Sequence, residues 1–128
     1  MITQRQNKHG DFILHLDFKD KDGGLINPPQ RLDVRLTTEQ KAGAFVAEYR
    51  SDGSCTRCKR SPGGIDVFVS LSRNYIGAGR ILLETISYLE DDSFPEGERR
   101  VASKTSTPVV LWDGPSDSDV QITGTIVL

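Results

Sequence analysis

The stretch DFILHLDFKD, residues 11–20, decides the fold class. Phe12, Leu14, Leu16 and Phe18 occupy every second position, with His15, Asp17 and Lys19 between them. Ile13 is the exception. Successive side chains of a strand point to opposite faces, so a period of two predicts a half-buried β-strand. The same period continues outward along the chain. RLDVRL (31–36) alternates Leu32, Val34 and Leu36 with Asp33 and Arg35. AFVAEY (44–49) sets Phe45, Ala47 and Tyr49 on one side, and IDVFVSL (65–71) does so with Ile65, Val67, Val69 and Leu71. RILLETISYLE (80–90) starts apolar on both sides, and its Ile, Thr and Tyr content favours strand over helix. VQITGTIVL (120–128) supplies a last strand of β-formers. This patterning predicts an antiparallel sheet with one face on a core.

Turn signals separate the runs: Asp22-Gly23-Gly24, Pro28-Pro29, Asp52-Gly53, Pro62-Gly63-Gly64, Gly77-Ala78-Gly79, Pro95-Glu96-Gly97 and Asp113-Gly114-Pro115. Glycine reaches positive φ and proline presets a turn. Six or seven short strands at this spacing predict a β-sandwich or small barrel. The chief helix candidate is TTEQKAGAF (37–45), with Thr37 or Thr38 as N-cap. Gly43 limits it to one turn. Residues 1–10 are polar and unpatterned, and read as an arm outside a single domain over 11–128. Such an arm is expected to be disordered in a monomer and to order against a neighbour in an assembly.

A chain of 128 residues suits one domain with a core of its own. Charged residues make up 27% at a net charge of −2, which gives no electrostatic case for nucleic acid or an anionic membrane. No apolar run approaches the roughly 20 residues of a membrane helix. The start, MITQRQNKHGD, lacks the apolar segment of a secretory signal. Synthesis in the cytosol, with both cysteines reduced, is the expectation.

Cys55-Thr56-Arg57-Cys58 is the most tempting motif. A C-x-x-C can supply half a zinc site or a redox pair. Zinc needs further ligands, and only His9 and His15 offer strong ones, far away in sequence. The redox form expects a βαβ context. The plainer reading is a turn-rich connection before the strand at 65, with a metal shared between subunits as the alternative. Asp20-Lys21-Asp22-Gly23 hints at a calcium loop, but the first and twelfth EF-hand positions would be Phe18 and Pro29, so a turn is expected. Gly77-x-Gly79 lacks the third glycine and the helix of a nucleotide site. Arg99-Arg100, after Glu90, Asp91 and Asp92, reads as a solvated hairpin tip. His15 falls on the polar side of its strand, and nothing pairs a serine with a base. Asp113, Asp117 and Asp119 beside the single tryptophan, Trp112, form either a cation loop or a turn before the last strand; the turn is the more economical. Trp112 is expected in or over the core, although with Tyr75 or Tyr88 it could stack on a sugar.

From Cys58 onward the order of features resembles a known family. Gly63-Gly64 precedes an alternating strand (Ile65, Val67, Val69). Asn74 and Gly77-x-Gly79 precede a long apolar strand (Ile81, Leu83, Thr85). Phe94-Pro95-Glu96-Gly97 follows, and then Lys104-Thr105-Ser106-Thr107 leads to Val110, Leu111 and Trp112. With the opening GDFILHLDFKDKDGG, these residues resemble the immunoglobulin-like N-terminal domains of tailed-bacteriophage baseplate upper proteins, in the version of Bacteroidota phages and prophages. The likeness spans the chain from about Gly10. SRNYI at 72–76 departs from the family's Asn-His-Gly-Leu-like turn. The resemblance implies an all-β, antiparallel immunoglobulin-like β-sandwich of about seven strands. It implies a virion structural protein of tail, baseplate, head fibre or capsid decoration, made in the bacterial host cytoplasm. Its partners would be other virion proteins and itself, without nucleic acid, membrane, enzymatic activity, metal or cofactor. The alternative is a carbohydrate-binding sandwich that attaches to a host surface.

Overall fold

The computed structural model describes residues 3–117 and 122–128. The described residues form nine strands: β1 (Gln4–Asn7), β2 (Asp11–Lys19), β3 (Arg31–Thr38), β4 (Phe45–Arg50), β5 (Cys58–Ser61), β6 (Gly64–Ser70), β7 (Gly79–Glu90), β8 (Glu98–Trp112) and β9 (Ile122–Val127). They make a β-sandwich. One sheet has the order β1-β8-β7-β3-β4 and the other β5-β6-β2-β9.

The alternating runs supply the inner faces. Leu16, Phe18, Leu32, Leu36, Phe45, Ile65, Val67 and Leu71 have no exposed surface. Truncating one such leucine to alanine would cost about 2–5 kcal/mol. Gly64 marks the closest approach of two backbones, because a Cβ there would sit 1.9 Å from the Leu16 carbonyl oxygen. The bulge between Arg80 and Leu82 is held by Thr107, whose hydroxyl donates to the Ile81 carbonyl at 2.9 Å.

Several expectations need correction. Residues 4–7 are not a free arm. They form β1, paired in parallel with β8 from Gln4 opposite Val109 to Asn7 opposite Trp112. A polar edge strand has no alternating signature, because its exposed side needs no apolar residues. The segment 37–45 stays within the expected limit of one helical turn and forms none: β3 runs through Thr38, whose hydroxyl donates to the Ile76 carbonyl, and the chain then turns. Arg99 and Arg100 lie in β8, next to the hairpin tip rather than at it. The strand count rises from about seven to nine, because β1 and the four-residue β5 are both short and polar. The sandwich is also not wholly antiparallel. β1 joins β8, and β9 joins β2, in parallel. At each chain end the strand lies in the opposite sheet from its sequence neighbour, which a tight hairpin cannot achieve. The last strand begins at Ile122; Val120 lies outside the described residues.

Candidate functional site

The segment 111–117 is built as a seal along β1. Asn7 N–H donates to the Ser116 hydroxyl at 3.0 Å, and its side-chain amide donates to the Gly114 carbonyl at 2.8 Å. Asp117 accepts the Arg5 N–H at 2.8 Å, and the Asp113 carboxylate pairs with Lys8. That lysine holds the Asp113 carboxyl below the ordinary carboxylate range. The two aspartates therefore face separate cations, and no cation loop forms from them; Asp119 lies outside the described residues. Trp112 points outward rather than into the core. Gly114 lies against its six-membered ring, the Arg5 guanidinium lies 4.8 Å from its centroid, and its indole N–H donates to the Pro115 carbonyl. It covers an edge and is no open platform for a sugar. Tyr75 is stacked on His9 at 5.2 Å.

The C-x-x-C segment seals the other edge of the same sheet. Thr56 exchanges both backbone hydrogen bonds with Glu48 of β4, at 2.8 and 3.1 Å. Arg57, in the left-handed region at φ 59°, donates from its guanidinium to the Val46 carbonyl at 2.9 Å. Cys58 donates to the Glu48 carbonyl at 3.0 Å and Cys55 to that of Arg50 at 3.5 Å. Burial, aided by the neighbouring Cys55, pushes the Cys58 thiol up to about 12. A thiol kept protonated is a poor nucleophile. His9 and His15 are engaged elsewhere, and among the described residues no three His, Cys, Asp or Glu side chains gather to hold a metal.

The strand register produces one group that single-strand reading missed. His15 of β2 lies opposite Asp66 of β6, and its Nδ1 is 2.7 Å from the carboxylate. The Ser61 hydroxyl donates to the same Asp66 oxygen at 3.2 Å and lies 3.3 Å from the same Nδ1. A nucleophile–base–acid relay uses both ring nitrogens, one for the serine and one for the carboxylate. Here serine and carboxylate share one nitrogen, while Nε2 faces Gly64. The trio ties β2, β5 and β6 together and lacks the geometry of a relay.

The other glycine and acidic motifs resolve as turns. Asp20 accepts the N–H groups of Asp22 and Gly24, both at 2.9 Å, closing a loop on itself. Ala78 N–H donates to Gln40, so the Gly77-Ala78-Gly79 loop packs against the β3–β4 connection. Asp91 pairs with Arg99 at 3.1 Å across the base of the β7–β8 hairpin.

The outer face of the five-stranded sheet is concave. Register places three rows across it. Val46, Arg35, Glu84 and Lys104 form the first; Glu48, Asp33, Ile86 and Ala102 the second; and Arg50, Arg31, Tyr88 and Arg100 the third. The first two rows line a trough of about 620 Å³. Val46 is 50% exposed and Ile86 38%. In the third row Tyr88 is buried between arginines: Arg31 lies 4.5 Å and Arg100 5.1 Å from its ring centroid. Its hydroxyl donates to Asp33 at 2.8 Å, and that hydrogen bond raises the phenol above its ordinary value. Tyr88 and the trough could not be found without register, because each strand contributes only one residue to each row. Comparison with protein families, curated proteins and solved structures finds no match to the chain.

Proposed function

We propose that this chain is a non-enzymatic structural domain of a tailed-bacteriophage virion, acting through contacts with other virion proteins. The observation that carries the contact mode is the trough on the five-stranded sheet. Two exposed aliphatic side chains, Val46 on the edge strand β4 and Ile86 on β7, lie in it beside the charged Asp33, Arg35, Glu48 and Glu84. Exposed apolar surface bordered by polar groups marks a protein–protein interaction site. The virion setting comes from the resemblance of residues 10–128 to baseplate upper protein domains. The strand order supports the immunoglobulin-like part of that resemblance. With β2 as strand B, β3, β7 and β8 take the places of C, F and G, and β4 extends that sheet as C′ does in variable-type domains.

The test is mass spectrometry of particles purified from the phage or prophage that encodes the chain, with wild type or Ile86→Arg supplied. Wild type is expected in the particle and the variant is expected to be excluded while remaining folded. A chain absent from particles sinks the virion role. Normal incorporation of Ile86→Arg sinks the trough as the contact face.

A further inference from the structure

The four outer edges of the sandwich are treated unequally. β4 is sealed by residues 55–58 and β1 by residues 113–117. β5 is only four residues long and carries Lys59 and Arg60, two of the devices that discourage strand addition. β9 has none of these. Its sequence ITGTIV holds no charge and no proline. It pairs on one side with β2, and among the described residues nothing bonds its other side.

The parity of that open side is fixed. Leu128 N–H donates to the Lys19 carbonyl at 2.9 Å, so the even-numbered residues of β9 direct their backbone groups at β2. The odd residues, Thr123, Thr125 and Val127, direct theirs outward. Their side chains are exposed on the outer face of the sheet.

We infer that β9 is an assembly edge that pairs antiparallel with β9 of a second copy, about a two-fold axis through Thr125. In this register Thr125 faces Thr125 of the other copy, and Thr123 faces Val127. All of these are residues with outward groups, so three hydrogen-bonded pairs form and every open group is used. Shifting the register by one residue would face open groups against groups already spent on β2. A second copy suits this edge on charge as well, since an uncharged strand meets its own image without like charges opposed. β5 meeting itself would set Lys59 and Arg60 against their own copies. Two four-stranded sheets would become one of eight strands, an isologous contact of the commonest kind in homo-oligomers. This inference deepens the assembly reading by naming one partner and uses a surface separate from the trough.

Sedimentation velocity of the whole chain over a concentration series tests it, with Thr125→Lys as the disrupting variant. Wild type is expected to dimerise. Thr125→Lys is expected to stay monomeric with an unchanged circular dichroism spectrum, because the side chain is exposed and two lysines would meet at the axis. Oxidised glutathione added to Thr125→Cys should take two electrons from two thiols and leave one intermolecular disulfide. Hydrogen-bonded pairs lie about 5.5 Å apart at Cα, within disulfide reach. Thr123→Cys should not cross-link to itself, because its copies would stand about 14 Å apart along the strands. Peptide mapping separates these bonds from Cys55 and Cys58. A wild type that remains monomeric up to its solubility limit overturns the inference. So does a Thr125→Lys variant that still dimerises, or cross-linking at 123 in place of 125. Ile86→Arg should leave the dimer intact, so failure of the edge and failure of the trough read out separately.

Discussion

Asp117 grips the Arg5 backbone by two hydrogen bonds: its backbone N–H donates to the Arg5 carbonyl at 2.8 Å, and its carboxylate accepts the Arg5 N–H at 2.8 Å. A side chain and a backbone group together imitate one step of a β-ladder. β1 is thereby held between β8 and the segment that follows β8.

Asp117→Ala should weaken this seal by about 1 kcal/mol, the usual net value of one hydrogen bond. Deleting residues 1–7 should cost much more, because it strips β8 of its partner and removes the buried Gln6. Thermal denaturation of the two variants checks the order. A deletion as stable as wild type would mean that β1 contributes nothing to the fold.

Tyr88→Phe should lower stability at neutral pH by about 1.5 kcal/mol, through loss of the hydrogen bond to the Asp33 carboxylate. The phenol is raised above its ordinary value of 10.0 in the fold. Its contribution is therefore complete below pH 10 and is lost as pH rises through the raised value, because the unfolded chain gives up the proton first. Urea denaturation of both proteins across this range should show the gap closing on the alkaline side. A constant gap would exclude the hydrogen bond as its source.

Arg57→Ala should open the β4 edge by freeing the Val46 carbonyl, and it leaves a β-carbon at positive φ. We expect a loss of about 1 kcal/mol and increased light scattering on prolonged incubation, since an unsealed edge invites strand pairing. Arg57→Gly relaxes the backbone but leaves the carbonyl free, so it should scatter as much while losing less stability.

Iodoacetamide at pH 8 should alkylate Cys55 before Cys58 in the native chain, because Cys58 is buried and its thiol is pushed up to about 12. Peptide mass spectrometry against time measures the order, and equal rates would contradict the burial.

Gly64→Ala should cost upward of about 3 kcal/mol or prevent folding, because its methyl group would collide with the Leu16 carbonyl. Gly53→Ala is the control: nothing crowds that position, and only its positive φ opposes the change.

The sequence by itself determined the fold class and the inner face. Leu14, Leu16 and Phe18, or Val67 and Val69, can be placed from their spacing alone, because a strand's side-chain period is local and independent of its partner. It also marked most turns, since Gly63 and Gly97 need positive φ wherever they sit. What lies between strands was decided only by the tertiary structure. Polar β1 became a strand because β8 offered it an edge. The C-x-x-C and the acidic loop beside Trp112 found their roles as seals because β4 and β1 needed partners for their backbone groups. His15 met Asp66, and Tyr88 met Arg31 and Asp33, through register. Register and edge pairing join residues tens of positions apart, and no local period along one strand carries that information.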